Sequence, residues 1–346
     1  MLRLSMQAQQ LCPNHMLTAE MHKQLAAWHG CGVLGEPVSL NPFEVDPQVL
    51  VRLGRISADT ASRIRADALA AARGGVIRAG DAAGLVAAHG LSGIRELMLL
   101  LLDAAKDYAK PPISGFYVGA VGLESPSGDL VLGGNVEFPG THLGYTLHGE
   151  GFVATRVFNR GAELAVIAIG EAHPCAHCRQ YLSEFASSSR LKLIDPLGHT
   201  LTLAQLYPWP FDPDYLGELG AVAGQFRWPS LRLASPASGA IADAVLAAGR
   251  HAHAPYSKCP GAVVLELSGG QLIAGASVES VAFNPTVGPL QSALVELLAE
   301  GREYGEIEAA TLGTVIGGAV DYSFSTRELL GKVAPAARLT TLGWEP

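Results

Sequence analysis

His148-Gly149-Glu150, then, after a connecting helix and strand, Pro174-Cys175-Ala176-His177-Cys178: this stretch decides how the rest of the chain is read. A helix is expected to start near His148. Leu164–Ile169 is a continuous apolar run, as a strand covered on both faces should be. Cys175–Phe185 reads as a second helix, and Leu191–Ile194 as a strand closed by Asp195-Pro196. Two cysteines at i and i+3 on a helix face one side. At its first turn the helix dipole favours their thiolate forms. Thiolate and imidazole are the ligands zinc prefers in a tetrahedron. His148, Cys175 and Cys178 make three, which leaves a fourth position for water, the mark of a catalytic rather than a structural zinc. Zinc can bring the pKa of water to around 7. Glu150, two residues beyond the histidine, can reach that water without binding the metal and carry its proton.

Other readings of the parts stay open at this point. A C-x-x-C pair also fits half of a structural zinc site, whose near partners would be His142, His173 and His177. It also fits a redox pair, although a thioredoxin-type pair would be expected without the upstream H-x-E. His177 points away from the metal if both cysteines face it, so it reads as a surface or interface residue. His173 could contribute only its backbone carbonyl. Cys12, Cys31 and Cys259 read as plain apolar thiols.

Strands and helices continue to alternate on both sides of this stretch. Phe116–Val121 and Leu130–Leu132 read as strands joined at Ser125-Pro126-Ser127-Gly128. Upstream, Ser57–Ala72 and Gly93–Ala109 read as helices, the second capped by Ser92 and ended by Pro111-Pro112. Downstream of the Pro-rich run Tyr207–Pro213, the order restarts. A helix near Ile241–Gly249 leads to strands at Gly261–Leu267 and Gln271–Ala276, a helix near Leu290–Glu300 and a strand near Ala309–Ile316. The fold class is therefore α/β, a three-layer α-β-α sheet, duplicated, with an N-terminal helical segment. The expected segments are an extension at 1–46, helices at 47–110, a catalytic domain at 111–206, a linker at 207–236 and a degenerate copy at 237–346.

The restart is a repeat. Gly119-Ala120-Val121 matches Gly261-Ala262-Val263, and the same spacing, kept without gaps, puts Val136-Glu137 on Val278-Glu279, His148 on Leu290 and Glu150 on Ser292. The second copy keeps apolar and turn positions and lacks the polar ones, so one active and one structural half are expected.

The 346 residues suffice for two domains, and the formal charge of −8 disfavours a binder that relies on phosphate contacts. No run approaches the roughly 18 apolar residues that span a bilayer. Five cysteines in so long a chain do not make a disulfide scaffold, which fits a cytoplasmic protein. Arg3 and the scarcity of acidic residues before Glu20 leave organellar targeting open, beside the simpler reading of an ordinary extension.

The H-x-E…P-C-x-x-C pattern is that of zinc nucleobase deaminases. Over roughly residues 77 to 340 the chain resembles the cytidine deaminases, in particular the long homodimeric class of plants and some bacteria. The resemblance rests on Pro112-Ile113-Ser114-Gly115-Phe116, Gly134-Asn135-Val136-Glu137-Phe138, the zinc motif with Arg179-Gln180, Pro208 to Pro213, and His253-Ala254-Pro255-Tyr256-Ser257. It implies that His148, Cys175 and Cys178 hold one Zn2+ per chain and that Glu150 is the general acid/base. It also implies that Asn135 and Glu137 bond the sugar hydroxyls and that Phe116 packs near the pyrimidine. Phe211 would then reach the partner subunit's site. The implied activity is hydrolytic deamination of cytidine and deoxycytidine in pyrimidine salvage, by a homodimer that acts on a free nucleoside, with no nucleic-acid or membrane partner. The residues alone give a different reading of four positions: Phe116 and Phe211 as core, and Asn135 with Glu137 as a turn Asn and a surface Glu.

The chain departs from the family at Gly149, where Ala is usual, at Gly151, where Gln is common, and at Ala176, where Gly is frequent. Gly149 keeps a backbone amide for the base. Glycines at a helix start cost about 1 kcal/mol each relative to Ala and would loosen Glu150. That motivates the alternative of a weak or inactive deaminase-fold protein that binds nucleosides or dimerises. A polynucleotide editor is disfavoured by the acidic balance.

Overall fold

Short polar caps start the first helices. Asp46 accepts the Gln48 N–H at 2.8 Å ahead of α1 (Pro47–Arg55), and Ser57 accepts the Thr60 N–H at 3.1 Å ahead of α2 (Ala58–Ala71). The chain continues through β1 (Val76–Ile77), α3 (Ala79–Ala88), α4 (Ile94–Leu100) and α5 (Leu102–Ala105). The helix expected over 93–109 is thus broken at Leu101. Ser92 is not its cap: Gly93 holds that position and has no side chain, and the Ser92 N–H donates to the buried Glu96 carboxylate at 2.6 Å.

The structure, a computed structural model, describes residues 43, 45–170 and 173–345. The expected extension falls almost wholly outside the described residues, as do Cys12 and Cys31. Val45–Pro346 form one compact unit. After α5 come β2 (Gly119–Ser125), β3 (Leu130–Gly134), α6 (Gly149–Asn159), β4 (Glu163–Ile169), α7 (Ala176–Ser183), β5 (Lys192–Ile194), β6 (Thr200–Thr202) and α8 (Leu203–Leu206). The second run is β7 (Arg232–Leu233), α9 (Ala240–His251), β8 (Ala262–Leu267), β9 (Leu272–Ala276), α10 (Pro289–Ala299), β10 (Ile307–Val315), α11 (Ser323–Val333) and β11 (Arg338–Glu345).

Two mixed sheets result. The first has the order β1-β3-β2-β4-β5-β6 and the second β7-β11-β10-β8-β9. Each has the same heart, an antiparallel β2–β3 or β8–β9 hairpin followed by an antiparallel neighbour (β4 or β10) and then a parallel strand (β5 or β11). Helices cover both faces. On the first sheet α6 lies on one side, while Ile64, Leu97, Met98 and Leu102 from α2, α4 and α5 fill the core on the other. In the second half Val245 of α9 and Trp344 of β11 anchor the core. The duplicated three-layer α/β architecture read from the alternation is the one observed. No helix among the described residues is long and apolar enough to cross a membrane.

α6 sits close to its sheet because glycines face it. A Cβ on Gly133 would stand 2.4 Å from Phe152 Cδ1 and 2.9 Å from Val153 Cγ2. Gly133→Ala should therefore cost about 1–3 kcal/mol of overpacking strain, seen as a lower urea midpoint with an unchanged slope.

The halves join through α6 and α10, both buried along nearly their whole length, as helices covered on all sides must be. Arg156 of α6 pairs with Glu296 and, at 2.8 Å, with Glu300. Asn159 Nδ2 donates to Ser292 Oγ at 3.0 Å and Glu296 Oε1 at 2.9 Å.

The repeat holds, but its register changes. The second hairpin strands match at the expected spacing, as do Glu137 and Glu279, but the first strands do not. Gly119 pairs with Gly134 and Ala262 with Ala276, so Gly119-Ala120-Val121 corresponds to Ala262-Val263-Val264 and the second hairpin's turn is one residue shorter. Beyond them the Val136–Leu147 bridge corresponds to Val278–Val287, so the second copy is two residues shorter there. His148, the N-cap of α6, therefore matches Gly288, the N-cap of α10, and Glu150 matches Leu290. This corrects the gapless pairing of His148 with Leu290 and Glu150 with Ser292. Strand pairing holds the strands themselves, whereas the hairpin turn and the loop ahead of the helix were both free to shorten.

Candidate active site

The three proposed metal ligands come from two helix starts and meet. His148 caps α6, and Cys175 is the N-cap of α7, with Cys178 in its first turn. Cys175 thus lies just ahead of the helix rather than on its face, and its sulfur accepts the Cys178 N–H at 3.5 Å. The sulfurs stand 3.6 Å apart, and His148 Nδ1 lies 3.6 Å from Cys175 Sγ and 3.4 Å from Cys178 Sγ. Ligands around a tetrahedral zinc at ordinary bond lengths stand about 3.8 Å (S to S) and about 3.6 Å (S to N) apart. The donor set and its spacing fit zinc.

The ionisation of the trio is already poised. Hydrogen bonds with Cys178 and His148 push the Cys175 thiol down to about 3. The bond with Cys175, and then burial, push Cys178 up. Hydrogen bonding to Cys175 raises His148 against the opposing effect of burial. Without metal the second thiol keeps its proton beside the first thiolate. A dication held here would take that proton's place, since the thiolate is the ligating form of cysteine.

Glu150 is buried, 4% exposed, in the first turn of α6. Burial pushes its carboxyl above the ordinary range, and the charges of His148 and Cys175 act on it. Its flanking glycines have distinct surroundings. A Cβ on Gly149 would lie 3.1 Å from Ala120 Cβ, whereas one on Gly151 would meet only Leu147 Cδ2, at 3.9 Å. Gly149 suits the close approach of α6 to β2.

His142, His173 and His177 all turn elsewhere. His142 Nδ1 accepts from the Gly144 N–H, His177 Nε2 meets the Asn284 carbonyl of the second half, and His173 Nε2 meets Asp195 Oδ2 at 2.9 Å. None of the three joins the cysteines as a fourth protein ligand. Cys259 is a buried free thiol, and the cysteine pair is unbridged.

Asn135 and Glu137 are bracing residues in this structure. Asn135 Oδ1 accepts the Val118 N–H at 2.9 Å and its Nδ2 donates to the Phe116 carbonyl at 2.8 Å. β2 starts at Gly119 instead of the expected Phe116, and the Asn135 side chain bonds the backbone just ahead of it. Glu137 accepts the Ile113 and Ser114 N–H groups and the Ser114 hydroxyl at 2.6–2.9 Å. Burial opposes these bonds, yet they hold its carboxyl below the usual range. Glu279 clasps the Tyr256 and Ser257 amides and the Ser257 hydroxyl in the same way, in a half without the metal trio. The glutamate clamp is thus a feature of the fold, whereas Asn135, replaced by Ser277, is specific to the first half.

Phe116 and Phe211 are 52% and 41% exposed, so the core reading of both is wrong. Phe211 is fixed all the same. Gln180 of α7 donates to its carbonyl at 2.7 Å and accepts its N–H at 3.1 Å. No motif announced this tie, though Gln180 lies two residues beyond Cys178 and faces the Pro-rich strap. Of the remaining aromatics, Tyr117 and Trp209 are exposed, and Tyr145 donates to Glu328 of the second half at 2.8 Å.

Two family models, each described as the cytidine and deoxycytidylate deaminase zinc-binding region, match residues 92–192 and 222–326. Cytidine deaminase 6 of Arabidopsis thaliana is 36% identical over 258 residues, 68% of this chain and 87% of that one. The cytidine deaminase of Vibrio atlanticus is 33% identical over 261 residues, 75% of this chain and 86% of that one. Among solved structures, the cytidine deaminase of Mycobacterium leprae matches at 28% identity and a TM-score of 0.31, covering 34% of this chain and 100% of that one. With relatives this similar along most of their length, and with both halves matching the same zinc-binding region, the chain belongs to the cytidine deaminase family.

Proposed function

We propose that the protein hydrolyses cytidine and deoxycytidine to uridine and deoxyuridine, releasing ammonia. The observation that carries this reading is the convergence of two sulfurs and one imidazole at 3.4–3.6 Å beside a buried carboxyl. Zinc held by His148, Cys175 and Cys178 supplies the acidification that lets water act as a nucleophile near neutral pH.

The chain's own residues do the rest. Glu150 takes a proton from the attacking water and gives it to N3 of the pyrimidine. Once the C4–O bond has formed, Glu150 takes the remaining hydroxyl proton and gives it to the amine as the C4–N bond breaks, so the oxygen becomes the uracil carbonyl and ammonia leaves. The raised affinity of Glu150 for protons suits both duties. The Gly149 N–H, among the first amides of α6 that lack an intrahelical acceptor, donates to the base. The Asn135 amide has one acceptor and one donor site left beyond its clamp, and Glu137 has a spare lone pair, so both can hold sugar hydroxyls. Phe116 covers one face of the ring.

The active form is a homodimer in which Phe211 of one subunit closes the other's site. What supports this is the exposed apolar surface of the strap, where Trp209, Phe211, Tyr215, Leu216 and Leu219 all face solvent in the single chain. The unbridged thiols suit a cytoplasmic salvage enzyme. The test is ammonia release from cytidine and from deoxycytidine by zinc-loaded protein. Equimolar uracil nucleoside is the expected product, and binding without turnover would leave only a nucleoside-binding protein.

A further inference from the structure

We propose that His173, Asp195 and His199 form a second site for a divalent transition metal, distinct from the cysteine centre. These three side chains place one potential donor atom each within 4.8 Å of the others. His173 Nε2 and His199 Nδ1 point at the same oxygen, Asp195 Oδ2, from 2.9 and 2.7 Å. The rings are splayed, with centroids 5.9 Å apart and planes 60° to one another. Two imidazoles fanned about one carboxylate form a nitrogen–oxygen set that suits Zn2+, Co2+ or Ni2+.

The carboxylate is held in advance. Asp195 Oδ1 accepts the Leu197 and His199 N–H groups, both at 3.0 Å, which leaves Oδ2 for the imidazoles. Outer contacts of this kind orient ligands and strengthen a metal site. Buried Ile169, Leu193 and Leu201 line the adjoining cleft. Asp195 and His199 are buried, while the His173 side chain is 45% exposed and gives an ion a way in. The present spacings are those of a hydrogen-bonded triad. Nitrogen and oxygen ligands on one ion stand about 3.4 Å apart, so the triad opens by roughly half an ångström as an ion replaces a shared proton. His173, on a loop, can supply that movement.

The location gives the site a consequence. His173 lies two residues before Cys175, and Asp195 and His199 belong to the turn between β5 and β6. An ion here ties the loop entering α7 to the edge of the first sheet. With no thiolate, the site binds more weakly than the cysteine centre and fills second.

Equilibrium dialysis against rising Zn2+ or Co2+ tests this on the full chain. Wild-type protein is expected to take up one more ion per chain than His173→Ala, a substitution on an exposed loop position that leaves the fold intact. The additional Co2+ should bring ligand-field absorption without a further thiolate charge-transfer band. Because the reading is a difference between two proteins, it stands whatever the cysteine centre binds. Equal metal uptake by the two proteins, or charge-transfer intensity that grows with the extra ion, overturns the proposal.

Discussion

Glu150→Gln keeps the zinc content of the wild type and loses about 10²–10⁴-fold in cytidine turnover, the usual contribution of a positioned acid/base. The amide has the same shape, and the site is well walled, with Glu150 only 4% exposed in the first turn of α6. Zinc therefore still finds His148 and the two sulfurs, which do not involve this side chain. What is lost is a group that can both take and return a proton. Burial raises the Glu150 pKa, so the carboxyl exchanges protons nearer to neutrality than an exposed glutamate does, and the amide cannot do so at any pH. Metal content by atomic absorption and turnover by ammonia release, on one preparation, separate the two effects. A variant that keeps zinc and still turns over cytidine within a few fold of wild type removes Glu150 from the mechanism.

The second large effect is on stability. Glu184→Ala should cost about 3–5 kcal/mol, lowering the urea midpoint markedly. Glu184 follows α7 directly and is fully buried. Its Oε1 accepts from His253 Nε2 at 2.7 Å and from the Tyr256 hydroxyl at 2.6 Å, and its Oε2 accepts the Val281 N–H at 2.7 Å. All three donors belong to the second half. Burial, reinforced by the bond to Glu184, raises the Tyr256 pKa and keeps that hydroxyl a donor. Truncation leaves two buried donors, His253 and Val281, and the half-buried Tyr256 hydroxyl without an acceptor, which is more costly than the loss of any one bond. The half without the metal trio thus steadies the helix that carries Cys178. If Glu184→Ala unfolds at the wild-type midpoint, that coupling between halves does not exist.

Where the sequence pattern was strong, it predicted the fold and the meeting of three donor side chains. The apolar run at Leu164–Ile169 and the glycine-rich hairpin strands gave the sheet, because strands covered on both faces leave little choice of residue. The H-x-E and C-x-x-C motifs gave three donor side chains that do converge. The reading failed where contacts distant in sequence decide the outcome. β11, with Trp344 as its one deeply buried residue, has no strong strand pattern, and its partner β10 supplies its register. Nothing local says that β2 would start only at Gly119, or that Asn135 would bond the backbone ahead of it. The two-residue shortening ahead of Gly288 is invisible to a match made on the hairpins. The His173–Asp195–His199 cluster joins residues from two loops that only the fold brings together.

On the proposed function, one metal, held by His148, Cys175 and Cys178, makes this chain a deaminase. Titrating Zn2+ into chelator-stripped protein while following cytidine turnover tests it most directly. Activity should rise from near zero in proportion to added zinc and level off at one equivalent per chain, with further zinc adding nothing. Full turnover in the stripped protein, or a rise that continues to a second equivalent, would contradict it.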